Sequence, residues 1–363
     1  MAGDHSWTYS TLGADGSLKT AGIDYVNESG APMDYVSDRI FIGGGEFYSD
    51  LSAYYIEDKW QVTDNLVITA GVRIDEFDSY AVGGRLLTSF KTDPAPRVGF
   101  SWDINGDGAS KLYATYGHYY LPVANNTIYR VGSGISDTTT YYSFTGIDAA
   151  TGSPTGIAPI TGDVGSSTAI GSPAVAPENA VFQAEEADPF SKEELIIGYD
   201  MELNDSYSLS IRGTYRNLMT ALDDYCGKWS YPHCVMLNPG EDSTWYKDGD
   251  YWNGSGWDKR EEPDGIADPG SRRTHTAAEI ALPEAKNKYT SLQANLAYRE
   301  DNFRWNLNYT WSRSTGLFEG AVKSDIGQAD AGLTQDWDFA ALMDGADGYQ
   351  PNDRRHVFKA FGS

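Results

Sequence analysis

Cys226 and Cys234 are the only cysteines, and they bracket Gly-Lys-Trp-Ser-Tyr-Pro-His. Two thiols with no second cysteine pair cannot fill a tetrahedral zinc site unless His233 and one more group join them. A local disulfide is the simpler chemistry, and it places the loop in an oxidising compartment. Asp103-Ile104-Asn105-Gly106-Asp107-Gly108 matches the opening half of a calcium loop, but Ala114 stands where the twelfth position needs a bidentate Glu. The run reads equally as a hairpin turn. A looser acidic cluster contains Asp248, Asp250, Asp258, Glu261, Glu262 and Asp264. Its oxygens either hold a structural Ca2+, with Asp248, Asp250 and Asp258 as ligands, or are simply solvated. No other cofactor is expected.

The same stretch carries Trp245, Tyr246, Tyr251, Trp252 and Trp257 among glycines. Such rings can stack on a sugar or anchor a peptide, or they can form the loop's own small core. Catalysis has no nominee. His5, His118, His233, His275 and His356 are scattered, and neither a nucleophile elbow, a His-Glu-x-x-His pair nor a phosphate loop occurs. Glu193 and Glu194 are adjacent in a strand pattern and so point to opposite faces. The chain is read as a non-enzyme.

The elements that position these residues show in the alternation of side chains. In Phe303-Arg304-Trp305-Asn306-Leu307-Asn308-Tyr309-Thr310-Trp311-Ser312 the odd positions are aromatic or Leu and the even ones polar. That period places one kind of side chain on each face of a strand. The rhythm recurs in Tyr207 to Arg216, Leu66 to Ile74, Val98 to Ile104, Leu195 to Leu203 and Leu292 to Tyr298. With the turns between them the strands run over Leu51 to Thr63, Leu66 to Asp78, Pro96 to Ile104, Ser110 to Leu121, Phe190 to Leu203, Ser206 to Asn217, Lys288 to Arg299 and Phe303 to Ser314, and a ninth begins at Arg354 to Gly362. Asp64-Asn65, Asn105 to Gly108, Asn204-Asp205 and Glu300 to Asn302 supply tight hairpin turns. The other connections are long: 79–95, 122–189, 218–287 and 315–353. Residues 1–50 read as an extracellular loop with a partial strand, and the Ser-, Pro- and Gly-rich Ala158 to Pro177 as mobile.

Short turns on one edge and long loops on the other are the pattern of a transmembrane barrel, and most of these strands reach the roughly 9–11 residues such a barrel needs. The expected fold is therefore all-β, an antiparallel up-and-down transmembrane barrel segment. Trp60, Trp102, Tyr207, Tyr298 and Phe303 fall near the tight turns, and Tyr54, Phe77, Tyr119, Tyr215, Tyr289 and Trp311 near the loops, as two aromatic girdles. Arg73, Asp75, Arg97, Asp103, Asp200, Glu202, Arg212, Arg216, Arg299 and Arg304 fall on the opposite, lumen-facing side, which must be wet or plugged. Asp58 breaks the apolar face.

Composition agrees. Lys and Arg number 27 against 52 Asp and Glu, a net charge of −25, which nucleic acid repels. Glycines number 39 and aromatics make up 13% of residues, which disfavours a helical protein. No apolar run approaches the roughly 20 residues of a membrane helix. The opening Met1-Ala2-Gly3-Asp4-His5 lacks the basic and greasy regions of a signal peptide.

The sequence resembles the TonB-dependent outer-membrane receptors, and within them the Oar-like group. The resemblance rests on Tyr54-Tyr55-Ile56-Glu57-Asp58-Lys59-Trp60 running into Gly71-Val72-Arg73-Ile74-Asp75, on Ala95-Pro96-Arg97-Val98-Gly99-Phe100, and on Tyr116-Gly117-His118-Tyr119-Tyr120-Leu121-Pro122. It continues in Lys323 to Gly332 and in Pro351-Asn352-Asp353-Arg354-Arg355-His356-Val357-Phe358-Lys359. It implies a 22-stranded barrel in the Gram-negative outer membrane, filled by a plug domain and energised through TonB, that takes up a scarce ligand caught by extracellular loops. No plug or TonB-contacting segment is recognised here. The resemblance thus implies an internal barrel piece that alone is not transport-competent, with outer-membrane lipid, the parent's plug, TonB and an extracellular ligand as partners. A surface adhesion protein and a secreted carbohydrate-binding β protein remain the alternatives.

Overall fold

The structure, a computed structural model, describes residues 2–14, 16–20, 23–43, 46–81, 83–84, 86–132, 136–160, 166–168, 183–227, 234–246, 251–252, 257–258, 272–321 and 333–363. The chain forms two compact units. The larger one, comprising 49–78, 88–127 and 178–363, is organised by an antiparallel sheet. Its main strands are β1 (Tyr48–Thr63), β2 (Leu66–Tyr80), β3 (Ala95–Asp103), β4 (Ser110–Leu121), β5 (Phe190–Glu202), β6 (Tyr207–Thr220), β7 (Asn287–Glu300), β8 (Phe303–Gly316) and β9 (His356–Gly362). Each pairs with its neighbours in sequence. All nine begin and end within three residues of the bounds that alternation predicts. Two short strands are additions: Leu86–Lys91 pairs with β2, and Gly348–Tyr349 with the loop end of β8.

The tight turns close as their sequences require. Asn204 Oδ1 accepts the N–H groups of Ser206 and Tyr207, and Asp301 takes a positive φ of 36°. Both Asp103 carboxylate oxygens accept turn N–H groups, from Gly106 at 3.0 Å and Gly108 at 2.8 Å. The calcium-like run closes as a hairpin turn, as its Asn and Gly residues suggest.

Register carries the alternation across the whole sheet. Ile68, Phe100, Ala114, Ile197, Gly213, Leu292 and Trp311 are successive cross-strand partners on one face. Ile197, Leu292 and Phe358 of this face are 50%, 53% and 67% exposed, so it is a broad apolar surface with no second layer over it among the described residues. In water such a surface would associate or aggregate. At its tight-turn end Tyr207, Tyr298, Phe303 and Trp305 cluster, with Tyr298 and Trp305 stacked at 5.7 Å. Asp58 lies on this face among the exposed residues of β1, its Oδ1 accepting the Lys59 N–H; nothing in the structure explains it.

The smaller unit, comprising 1–48, 79–87 and 128–177, changes the reading of residues 1–50 and of part of the 122–189 connection. Ala2–Leu12 pairs along its full length with Met33–Gly43, which in turn pairs with Ser136–Ser143. Val36 is fully buried in it, and the Asn27 amide donates to the carbonyls of Gly13 and Ala31. Segments such as Thr138-Thr139-Thr140-Tyr141-Tyr142 are β-branched and aromatic, hence good strand formers, but they have no apolar face to betray them by period. Most of Ala158 to Pro177 lies outside the described residues.

Candidate functional site: a polar wall and its loop layer

Opposite the apolar surface, the same register lines up a polar wall. Arg97, Gly117, Glu194, Arg216, Tyr289 and Ser314 are successive partners there. Strand alternation from this row places Arg73, Asp75, Arg212, Arg299 and Arg304 on the same face, as the sequence predicts. Arg73 Nη2 lies 2.7 Å from Asp75 Oδ1, and Arg212 Nη2 donates to Gln293 Oε1 at 2.6 Å. Arg216 pairs with Glu194, Lys111 with Asp200 at 3.0 Å, and Arg304 Nε donates to Ser363 Oγ. Arg299 and Arg304 are direct cross-strand partners, so two like charges meet near the last hairpin.

Three aromatics belong to this wall and not to the outer girdle. Tyr119 sits under the Arg97 guanidinium at 4.9 Å, Tyr289 under Arg216 at 5.7 Å, and Phe77 is buried on the side of Asp75. Their parity with Arg97, Arg216 and Asp75 was the available signal; nearness to the loop ends outweighed it in assigning Phe77, Tyr119 and Tyr289 outward. Each cation–π pair keeps a guanidinium oriented without neutralising it. Tyr113 plays a related part, lying over Gly198 on the neighbouring strand with the Lys111 ammonium 5.1 Å from its ring.

Arg97 is the chemically open group. Its Nε is buried and has no hydrogen-bond partner among the described residues, and it borders a pocket of about 130 Å3 lined by Tyr55, Glu57, Gly71 and Arg73. A buried guanidinium N–H left unsatisfied is costly, and an acceptor from another segment or a ligand would relieve it. A larger apolar hollow of about 590 Å3, lined by Leu66, Ile68, Phe100, Trp102 and Leu195, belongs to the opposite, apolar face.

At the long-loop edge, segments from three connections condense into one core. Tyr225, Val235, Leu237, Trp245, Ile280, Leu282, Phe318 and Trp337 are all buried in it. Trp245 is 1% exposed and stacks on His275 at 4.2 Å, so its predicted role as a ligand-contacting ring is corrected: a ring this enclosed packs the loop and offers no face to a ligand. The side chains of Tyr246, Tyr251, Trp252, Trp257 and Asp258, together with Asp248 and Asp250, lie outside the described residues. Cys226 and Cys234 are disulfide-bonded, as their spacing suggests.

A knot of carboxyls ties two loops together. Buried Asp223 accepts the Thr334 N–H at 2.8 Å and the Thr334 hydroxyl at 3.0 Å, and the Cys226 N–H donates to the Asp338 carbonyl. Burial pushes the Asp223 carboxyl well up. Burial also raises Asp224 to about 6, and burial beside Asp224 and Asp336 raises Asp338 to about 7. The side chains of Asp224 and Asp338 are hydrogen-bonded to each other. Nothing in the sequence pattern announces this knot, because its members lie over a hundred residues apart.

The sequence profile of the outer membrane beta barrel domain matches residues 76–363. The chain belongs to that family. TonB-dependent transporter Oar of Myxococcus xanthus is 21% identical over 328 residues, an alignment covering 85% of this chain and 27% of that protein. The barrel chain thus spans about a quarter of the length of its relative. Among solved structures, the toluene transporters TodX of Pseudomonas putida and TbuX of Ralstonia pickettii are 10% and 11% identical. They align over 85% and 86% of this chain and 64% and 77% of theirs, with TM-scores of 0.26 and 0.27; similarity this low carries no argument here. As an outer-membrane barrel protein of the Gram-negative envelope, the chain has lipid as the natural partner of its apolar face. The Lys323 to Gly332 block of the Oar-like resemblance lies outside the described residues.

Proposed function

We propose that this chain forms part of the wall of a 22-stranded, plugged TonB-dependent transporter that admits a scarce ligand from outside the cell. The observation that carries the reading is the two-faced meander: an uncovered apolar side backed by a charged wall in which Arg97 and Arg216 lie over tyrosine rings. Such a wall suits a water-filled or plugged lumen, and the similarity to Oar adds the plug and TonB as partners. The polar wall does no bond chemistry. Its role is to hold the plug and offer donors along the path, among them the Arg97 Nε–H. The loop layer, braced by its aromatic core and the Cys226–Cys234 link, frames the entrance, and the loop rings beyond Trp245 are the candidate ligand contacts.

The test has two arms. Small molecules that co-purify with the protein from outer membranes are identified by mass spectrometry. Accumulation of each is then compared in cells with and without TonB, and with Arg97→Gln. Loss of accumulation without TonB and a reduction with Arg97→Gln are expected. Equal accumulation with and without TonB would favour a surface-binding role without energised uptake.

A further inference from the structure

Where the apolar face ends on the long-loop side, the sign of charge reverses against the rest of this strongly acidic chain. Arg313 follows Trp311 by two residues on β8 and so shares its face, about 7 Å farther along the strand. Thr315, the next residue on that face, is the register partner of Lys288 on one side and Tyr349 on the other. The Arg313 and Arg355 guanidinium carbons lie 5.1 and 4.9 Å from the centre of the Tyr349 ring. Tyr349 itself is 59% exposed.

Two guanidinium groups thus share one exposed phenol ring, with an ammonium on the adjacent strand. Acidic neighbours are few. Asp353 binds Arg355 at 3.1 Å and caps the Ser314 N–H. Glu193 is engaged by the Tyr116 hydroxyl and the Asn217 amide. Among the described residues neither Lys288 nor Arg313 closes an ion pair, although Arg313 shares the field of Asp353 with Arg355, and both are exposed.

We propose that Lys288, Arg313 and Arg355, arranged around Tyr349, form a docking surface for the phosphate groups of outer-leaflet lipid headgroups. Three cations against one carboxylate repel one another until an anion arrives, and planar guanidinium groups match phosphate oxygens in pairs. The place commits the occupant to lipid: acyl chains covering the Trp311 and Tyr309 side would bring their headgroup to this level. The surface is distinct from the polar wall and does not depend on the transported ligand.

The experiment uses the protein extracted intact from outer membranes into detergent. Bisphosphorylated lipid A, enzymatically dephosphorylated lipid A and inorganic phosphate are the three probes, read by native mass spectrometry and by quenching of tryptophan emission. Bisphosphorylated lipid A should bind, and its dephosphorylated form should bind at least about tenfold more weakly. Arg313→Gln should weaken binding about tenfold, and Arg313→Lys, which keeps the charge but not the paired guanidinium donors, should recover part of it, showing that charge and not misfolding is responsible. Lys111→Gln, on the opposite face, should leave lipid binding unchanged. Equal binding of both lipids, no change with Arg313→Gln, or displacement of the lipid by equimolar inorganic phosphate would overturn the proposal.

Discussion

Replacing Trp245 with alanine separates a loop that is built around its aromatics from one that displays them. The ring is 1% exposed, stacks on His275 at 4.2 Å and lies 6.4 Å from the Tyr225 ring. Truncating a buried Trp costs about 3–5 kcal/mol through lost burial and the cavity left behind. The core here is small, so partial collapse puts the expected loss near the lower figure, about 3 kcal/mol. Amide exchange of Val235, Met236 and Leu237, all fully buried, should then quicken by roughly two orders of magnitude. Amides in the middle of β5 and β6 should keep their protection. Trp245→Phe should cost less, because the Trp245 Nε1–H has no hydrogen-bond partner and its removal leaves nothing unpaired. Unchanged exchange in Trp245→Ala, accompanied by loss of ligand, would refute the packing role and return Trp245 to the binding surface.

The carboxyl knot predicts a pH response of the loop layer. With Asp224 held at about 6 and Asp338 at about 7, against an unfolded value near 4, the folded loops bind protons more tightly than the unfolded chain does. The stabilisation is therefore complete below about pH 4 and is lost as pH rises through 6 to 7. Between pH 5 and 8 Asp224 alone should account for about 1 kcal/mol, read as faster loop exchange at the higher pH; Asp338→Asn should flatten the curve, and an unaltered curve would contradict the knot. Gly316→Ala should destabilise by about 3 kcal/mol, because φ is +137° and the new Cβ would fall 2.0 Å from the Lys286 carbonyl oxygen. Gly198→Ala would meet only the movable tip of Tyr113 and should cost about 1 kcal/mol; thermal unfolding of the two variants in detergent compares them. Cys226→Ser should loosen the loop layer by about 2–3 kcal/mol without altering strand protection, seen as faster proteolysis confined to the loop.

Most of the strands were legible because apolar residues recur at every second position, and the tight turns because Asn, Asp and Gly mark them. Parity also separated Arg73, Arg97, Arg212 and Arg216 from the apolar side. For Phe77, Tyr119 and Tyr289 parity and the tendency of aromatics to ring a membrane point to opposite faces, and in the structure parity wins. Ala2–Leu12 and Met33–Gly43 carry no such mark, because Thr and Tyr favour strands while the Ser and Asp between them break any apolar stripe. Trp245 and its neighbours looked alike in sequence, since local composition cannot tell a ring packed on a distant His275 from one facing solvent. The Asp223–Thr334 link needs the fold to be seen at all.

The account rests on lipid wetting the apolar face and water wetting the polar wall. Single cysteines introduced at Ile197, Ile211 and Leu292, and at Asp200, Arg212 and Gln293, test this directly with a membrane-impermeant thiol reagent and with bromine-labelled lipid. The first three should resist the aqueous reagent and be reached by the lipid label, and the second three should do the reverse. Equal aqueous labelling of both sets, or failure of the lipid label to reach the first set, would show that lipid does not wet the apolar face and contradict the account.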